Sequence, residues 1–469
     1  MKVISTMTLS EVAVAIREGD LSSTEATSHC LNLIAERDQN INAFAAIDEE
    51  RALLQARAAD DALANGNVTG LLQGVPLAHK DMFYRLGEES GCGSLIRRGW
   101  FAPTTADVLK RLDSAGSVTL GRLNMSEFAL GPIGLNHHNG ATRNPWNTDY
   151  VSGGSSSGPA AAVASGFCFG ALGSDTGASI RVPAAACGLV GLKTTLGWIS
   201  TAGTMPLASS LDVIGPLARS VADVALLTAI LAVPADGELT ASANPAFLRI
   251  DSVGDDQRPK IGIPATYFLD SLDREIEAKY DAARAVFLKL GFELVSVDTS
   301  AFAEAASLYG DILGFEAAAF HSRWLSSRPQ DYSPQVRARL QQAQNVTEES
   351  YVAALATRQT LLVRVLSDVF RNCDAVLAPV LGGPVPTVAE ADVGNGPRMT
   401  EIVSSFLRLT KPINVLGLPA LSLPAGFTKN GLPSGIQLVG APWSDPSLLA
   451  LGHAYEKAST WRTCTPKIR

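Results

Sequence analysis

The sequence lacks the short motifs that mark common metal and redox sites. Its six cysteines are scattered and form no C-x-x-C pair, which excludes zinc ribbons and thioredoxin-type redox sites. H-E-x-x-H is absent as well. His137 and His138 adjoin, but two adjacent histidines rarely face one ion, and no acidic residue is close to them in sequence. We therefore predict no metal site, and we expect the cysteines to be buried, reduced thiols.

Positive charge and long apolar runs are also scarce. The net charge is −8 and no run of lysine or arginine occurs, so a nucleic-acid partner is not expected. The uncharged stretch 150–174 contains Pro159 and many Gly and Ser residues, so it predicts neither a transmembrane helix nor another membrane contact. Glu11 interrupts the N-terminal segment too early for a signal-peptide core. These absences predict a soluble, cytoplasmic protein.

Apolar residues, by contrast, are plentiful: 46% of the 469 residues are hydrophobic, which is enough for a large core. The first sixty residues predict helices, with capping boxes beginning at Thr8 and Ser22. From Val75 to about residue 231, strands and helices alternate, which predicts α/β architecture. After residue 231, the sequence pattern predicts a turn-rich connection at 235–258 and a strand at Ile261–Pro264. It then predicts long helices at 272–290 and 300–370, and short buried strands at Asp374–Pro379 and Ala420–Pro424.

Two segments rich in glycine and serine carry the candidate chemistry, Gly153–Gly158 and Gly173–Arg181. Backbone of this composition approaches a ligand closely and offers several N–H donors. Ser155 and Ser179 are candidate nucleophiles, and a serine needs a base to activate it. On composition alone, the alternative is a surface loop.

Two other serine-hydrolase arrangements compete with this interpretation. Residues 154–158 match the G-x-S-x-G elbow with Ser156 as nucleophile, but an α/β-hydrolase needs an acid and a histidine downstream. Only His321 and His453 follow, and His453 falls in a helical stretch. The S-x-x-K motif of penicillin-binding proteins is absent.

Lys80 is the candidate base. It follows the apolar strand Val75–Ala78, and a buried lysine loses its charge to desolvation. The alternative role for a lysine at a strand end is an ion pair. The neighbouring Asp81 would stabilise the charged form, but successive strand residues point to opposite faces, so we expect its carboxylate to point away.

These segments resemble those of the amidase signature family. The family has a lysine after a G-[IV]-P strand, as at Gly74–Asp81, then a G-G-S-S-G-G run, as at Gly153–Gly158, where Ser157 replaces one glycine. It continues with G-S-D-T-G-G-S-I-R, as at Gly173–Arg181 with one change. Asn144–Asn147 and Gly431–Leu438 resemble flanking parts of the family, so the resemblance covers most of the chain.

The resemblance implies the amidase signature fold, an α/β fold with a central mixed β-sheet surrounded by α-helices. It implies a single domain over residues 1–469. Within this domain, residues 1–62 would form N-terminal helices and 63–231 the core with the catalytic residues. Residues 295–350 would form a helical cover over the site.

The resemblance also implies a role for each motif residue. Ser179 would attack the substrate carbonyl, Ser155, preceded by a cis peptide bond, would relay protons, and neutral Lys80 would be the base. Backbone N–H groups from Thr176, Gly177, Ala178 and Ser179 would form the oxyanion hole. No metal and no organic cofactor would be needed.

One departure from the family pattern falls inside this proposed oxyanion hole. Ala178 stands where the family usually has a second glycine. An alanine with positive φ would cost about 1–2 kcal/mol, so we predict a negative φ at this position.

The substrate expected from this interpretation is a small-molecule amide, carbamate or ester. No charged pocket residue is obvious in the sequence, which favours a neutral, fairly apolar amide or carbamate of the aryl acylamide or urethane type. We expect neither nucleic acid nor membrane as partner, while a homodimer stays an open alternative.

Two further functions stay open at this stage. The first is the glutaminase (A) subunit of a tRNA-dependent amidotransferase, which shares the triad but requires partner subunits. That family carries an acidic residue shortly before a P-x-N stretch, whereas this chain has no carboxylate in Phe406–Thr410, which argues against glutamine. The second is a binding module without catalytic activity. The presence of all three residues, Lys80, Ser155 and Ser179, argues against it.

Overall fold

A computed structural model describes residues 4–67, 70–232, 243–251, 258–394 and 396–467. The predicted connection at 235–258 lies largely outside the described residues. The part of it that is described contains one short turn of 3₁₀ helix at Pro245–Leu248.

Thirteen strands occur in the described residues, most of them short and apolar. They are β1 Phe44–Ile47, β2 Pro76–Lys80, β3 Val118–Leu123, β4 Arg143–Asn144, β5 Asn147–Val151, β6 Gly170–Asp175, β7 Val190–Lys193, β8 Val213–Ala218, β9 Lys260–Pro264, β10 Glu293–Val297, β11 Ala375–Pro379, β12 Ala420–Phe427 and β13 Pro433–Val439.

Eleven of these strands form one sheet, in the order β1-β3-β2-β6-β8-β7-β12-β13-β11-β9-β10, and β4 and β5 form a separate pair. The neighbours β3, β2 and β6 run parallel, as do β11, β9 and β10 at the other end, whereas the central pairs are antiparallel. Every residue of β2, β6, β8 and β7 is buried, so both faces of the sheet centre are covered. The predicted α/β fold with a central mixed sheet is confirmed.

Helices cover both faces of this sheet. They are α1 Leu9–Glu18, α2 Ser23–Ile41, α3 Glu49–Ala64, α4 Asp107–Ser114, α5 Ser157–Ala164, α6 Arg181–Cys187, α7 Val221–Leu231, α8 Arg274–Lys289, α9 Ser300–Ser327, α10 Pro334–Ala343, α11 Glu348–Asp368, α12 Val388–Ala391, α13 Pro397–Leu407, α14 Lys411–Val415 and α15 Asp445–Lys457. Both predicted capping boxes are present, one before α1 and one before α2.

The region 300–370 contains three helices, α9, α10 and α11, separated by short breaks. Pro334 occupies the first turn of α10, and Ser333 caps that helix by accepting a hydrogen bond from Val336 N–H. Thr347 caps α11 in the same way. These local signals end one helix and begin the next.

The short helices α5 and α6 lie deepest, because they consist almost wholly of small residues that allow close packing. All eight residues of α5 and all seven of α6 are buried. A Cβ added to Gly158 would lie 2.5 Å from the carbonyl oxygens of Ala43 and Asn124. Each of these helices follows one of the glycine- and serine-rich segments, so the close packing fixes both segments against the sheet.

Candidate active site

The Lys80 side chain lies between the two serine-rich segments. Lys80 is the last residue of β2, which runs parallel to β6, and the carboxyl ends of parallel strands meet at one edge of a sheet. Its Nζ lies 2.7 Å from Ser155 Oγ and 2.9 Å from Ser174 Oγ, both within hydrogen-bonding distance. Lys80 and Ser155 are both completely buried.

Burial lowers the pKa of Lys80 from 10.5 to about 7, although the charges of Asp175 and Asp212 oppose this shift. A lysine with this pKa is partly neutral near neutral pH, so its amine has a lone pair free to accept a proton. The carboxylate of Asp81 forms an ion pair with Arg122 at 2.7 Å. Asp81 therefore has a partner other than the neighbouring lysine, as the strand alternation predicts.

Ser155 follows a cis peptide bond from Gly154. The Gly154 N–H donates to the carbonyl of Pro132 (2.8 Å), and the Ser155 carbonyl accepts from Ser126 N–H (3.2 Å). A Cβ on Gly154 would lie 2.6 Å from the backbone nitrogen of Gly134, so only glycine fits here. The backbone around Ser155 is thus held by the loop that precedes it in the chain.

Ser179 lies at the start of the turn that leads into α6. Its carbonyl accepts a hydrogen bond from Ser156 N–H (3.3 Å), which joins the two serine segments directly. The residue is 6% exposed, whereas Ser155 is fully buried, so Ser179 is the more accessible of the two. Within the described chain its hydroxyl makes no hydrogen bond, and catalytic hydrogen bonds often tighten only when substrate is present.

Four consecutive backbone N–H groups, ending with that of Ser179, have no acceptor in the described part of the chain. The N–H groups of Thr176, Gly177, Ala178 and Ser179 donate to no acceptor among the described residues. Ala178 is completely buried and does not have a positive φ, which confirms the prediction for this residue. Alanine at this position therefore adopts an ordinary backbone conformation. Such a row of unpaired donors favours a negatively charged oxygen.

Helix α9 closes over this row of donors. A Cβ on Gly177 would lie 2.4 Å from the hydroxyl oxygen of Tyr309, so the tyrosine ring packs directly on the glycine backbone. Tyr309 belongs to the region 295–350, for which the family resemblance implies a covering position. The glycine is required here by the close approach rather than by an unusual backbone angle.

Sequence reasoning missed the buried charges that hold the Ser179 segment. Arg181 and Asp175 form an ion pair at 3.0 Å with both side chains fully buried. Burial alone would raise the pKa of Asp175, but the Arg181 charge and hydrogen bonds outweigh it and lower that pKa to about 2. Asp175 also accepts from the N–H of Ile180 (3.0 Å) and from the side-chain amide of Asn414 (2.9 Å). These contacts fix the segment from both ends.

Ser174 was missed as well, although it sits inside a recognised motif. Its hydroxyl is the second hydrogen-bond partner of Lys80. The sequence does contain a signal for this role. Ser174 directly precedes Asp175 at the end of β6, and Lys80 ends the parallel neighbour β2 at the same edge of the sheet.

The competing histidine arrangements do not assemble around a serine. Ser156 Oγ donates instead to the carbonyl of Ser174 (3.3 Å). His321 pairs with the hydroxyl of Tyr332 (2.9 Å), and His453 lies beside Glu456 (3.4 Å). The elbow interpretation is therefore not supported.

His138 does have an acidic neighbour, contrary to expectation, because the fold brings Glu127 to 3.1 Å from its Nε2. The described part of the chain nevertheless contains no group of three or more His, Cys, Asp or Glu side chains arranged to hold a metal. It also contains no helix long and apolar enough to cross a membrane. All six cysteines are free thiols; five are buried as expected, but Cys464 is exposed.

Similarity to known proteins agrees with this geometry. The family model described as Amidase matches residues 25–449. The A-subunit of glutamyl-tRNA(Gln) amidotransferase from Lachnospira eligens is 36% identical, over 96% of this chain and 97% of the relative. The protein of the same name from Nitrosococcus oceani is 35% identical, over 98% of each chain.

Solved structures superpose over nearly the full length. A 6-aminohexanoate cyclic dimer hydrolase has a TM-score of 0.90 at 26% identity, over 100% of both chains. A structure described as an amidase has a TM-score of 0.85 at 33% identity, over 97% of this chain and 100% of the other. Because the motif residues meet in one buried site and the family model spans most of the sequence, this chain belongs to the amidase signature family of carbon–nitrogen hydrolases.

Proposed function

We propose that the protein hydrolyses the carbon–nitrogen bond of a small amide or carbamate through an acyl-enzyme. The observation that carries the proposal is the buried 2.7 Å contact between Lys80 Nζ and Ser155 Oγ, near the N–H groups of residues 176–179 that have no acceptor in the described chain. A neutral amine, a bridging hydroxyl and a row of N–H donors are the groups that acyl transfer by serine requires.

In the proposed first half-reaction, Ser179 Oγ attacks the carbonyl carbon while its proton moves to Ser155 Oγ. Ser155 passes its own proton to the neutral amine of Lys80. The carbonyl oxygen becomes an anion held by backbone N–H groups of residues 176–179, and such donors typically stabilise it by about 3 kcal/mol each. On collapse, the carbon–nitrogen bond breaks and the leaving nitrogen takes a proton from Ser155, which Lys80 replaces.

The second half-reaction repeats these steps with water. Water gives a proton to Ser155, and hence to Lys80, as it attacks the acyl-enzyme. Collapse releases the acid and returns a proton to Ser179. The net change is one water consumed and one carbon–nitrogen bond cleaved, so no external oxidant or reductant is required.

The glutaminase subunit of a tRNA-dependent amidotransferase is the second candidate, and the sequence comparisons favour it over the first. The two relatives named above both carry that description, at 35–36% identity over almost the whole chain. Against it stands the segment Phe406–Thr410, which offers no carboxylate for the ammonium group of glutamine and presents Arg408 instead.

A release assay separates the two candidates. Purified protein is incubated with L-glutamine and with a panel of anilides, aliphatic amides and aryl carbamates, and ammonia or amine is measured. Turnover of panel members at rates far above that of glutamine is expected from the first candidate. Glutamine as the preferred substrate would establish the second, and absence of any turnover by folded protein would contradict both as activities of the isolated chain.

A further inference from the structure

A cavity of about 620 Å³ is lined by positive charge without matching negative charge. The side chains of Arg408 and Lys411 line it, together with four serines. None of the described residues that line it is an aspartate or a glutamate. The volume is in the range typical of small-molecule sites. We call this space the cationic cavity.

Lys411 has no counter-ion among the residues that the structure describes. It begins α14 and is half-buried, and burial lowers its pKa. Its ammonium group makes no hydrogen bond or ion pair within the ranges that the structure describes. A half-buried charge in this situation is partly desolvated and uncompensated, so an anion placed beside it gains attraction.

Arg408 is held in position by neutral groups alone. Its guanidinium donates to the carbonyl of Tyr267 (3.2 Å), and the Tyr267 hydroxyl donates back to the Arg408 carbonyl. A Cβ on Gly382 would lie 2.8 Å from Arg408 Nη2, so the glycine leaves the space that the guanidinium occupies. No carboxylate in the described chain pairs with it, and its remaining donors suit a planar anion such as a carboxylate.

The cationic cavity is connected to the catalytic residues through two helices. Asn414, one turn after Lys411 in α14, donates to the backbone carbonyl of Asp175 (2.9 Å). On α9, Ala306 lines the cavity, and Tyr309 on the same helix face packs on Gly177. The cavity and the row of free N–H groups therefore lie along one side of α9.

Building on the proposed amide hydrolysis, we propose that the cationic cavity binds a carboxylate of the substrate. The substrate class is then amides or carbamates that carry a carboxylate in addition to the carbon–nitrogen bond that is cleaved. Arg408 supplies two parallel hydrogen bonds to the carboxylate and Lys411 supplies a point charge. This differs from the neutral substrate expected from the sequence, because the two cations come together with Tyr267 and Gly382 only in the folded chain.

Matched pairs of substrates, with release of the aniline measured, test this inference. Succinic, glutaric and adipic mono-p-nitroanilides are compared with isosteres in which an isopropyl group replaces the carboxylate, and N-acetyl-4-aminobenzoate with N-acetyl-4-isopropylaniline. In the wild type, at least one carboxylate member should have a kcat/KM at least tenfold above that of its isostere. Lys411→Met and Arg408→Gln should each remove most of that preference by raising KM, while the isostere is unaffected.

Two exposed residues supply controls, Lys289→Met and Arg323→Gln, which should leave the preference unchanged. Lys411→Met is the decisive variant, because it keeps the length of the side chain and its ammonium group makes no hydrogen bond or ion pair in the described residues that the substitution would break. Equal kcat/KM within every pair, or a preference that survives both cavity variants, would overturn the inference while leaving the proposed hydrolysis intact.

Binding to the inactive Ser179→Ala protein separates this inference from the proposed hydrolysis. Calorimetry with the same pairs should show tighter binding of a carboxylate member, weakened at least fivefold by Lys411→Met. That result would support the cavity even if the wild type cleaved none of the compounds. Failure of every carboxylate to bind the folded variant more tightly than its isostere would overturn the cavity assignment, whatever the activity.

Discussion

The amine of Lys80 and the hydroxyl of Ser155 lie 2.7 Å apart with both side chains completely buried, although 74 residues separate them in the sequence. Burial has two consequences at once: it lowers the pKa of the amine towards neutrality, and it excludes bulk water from the hydrogen bond. The base of the proposed mechanism is therefore set by the position of β2 in the sheet rather than by a charged partner.

The pH dependence of activity should report the titration of Lys80. Only the neutral amine accepts a proton, so kcat/KM should rise as pH increases through about 7 and level off above it. Lys80→Ala should lose most activity around neutral pH. Asp81→Asn should leave the midpoint almost unchanged, because that carboxylate pairs with Arg122. Near-wild-type activity in a folded Lys80→Ala protein at pH 7 would contradict the assignment of the base.

Ser174 should act as a positioning residue for that amine. Ser174→Ala removes one of the two hydrogen bonds of Lys80, a loss of about 1 kcal/mol, and should lower kcat up to about tenfold with little change in KM. Ser174→Thr keeps the hydroxyl and should restore most of the rate. An equal loss in both variants would point to packing rather than to the hydrogen bond.

Gly177 and Ala178 should respond very differently to small changes. Gly177→Ala places a methyl group 2.4 Å from the hydroxyl oxygen of Tyr309, so either the loop or α9 must move and activity should fall at least a hundredfold. Ala178→Gly relieves no strain, since Ala178 lacks a positive φ, and kcat/KM should stay within about tenfold. Comparable activity in the two variants would show that the donors at 176–179 are not held by α9.

The buried pair Arg181–Asp175 should be essential for folding stability. Asp175→Asn leaves the arginine charge uncompensated in the core and should lower the free energy of unfolding by about 3–5 kcal/mol in denaturant titrations. Glu304→Gln, which breaks the exposed pair with Arg364, is the matched control and should change stability little. Similar effects of the two substitutions would mean that the buried pair is not uniquely important.

Lys80, Ser155 and Ser179 could be predicted because each lies in a short segment whose own residues resemble a motif of the family. The fold class followed from strand–helix alternation in the same way. The contact between Asn414 and Asp175 could not be predicted locally, since it depends on the order of strands in the sheet and on the short helix α14 reaching the end of β6.

The polarity of the substrate site is the point on which the sequence-based expectation and the proposed cavity differ most. Arg408 and Lys411 lie three residues apart in one segment, but the residues that form a cavity around them, such as Tyr267 and Gly382, come from distant parts of the chain. The sequence pattern predicts long helices over 300–370 but does not place the breaks between α9, α10 and α11, although the caps at Ser333 and Thr347 are local signals.

The most direct test of the proposed mechanism is the position of the covalent adduct. The protein is treated with a fluorophosphonate probe and the modified peptide is identified by mass spectrometry, with Ser179→Ala and Ser156→Ala as paired variants. The proposal predicts a single adduct on Ser179, lost in Ser179→Ala together with turnover and retained in Ser156→Ala. An adduct on Ser156, or a folded Ser179→Ala protein that still turns over substrate, would contradict it.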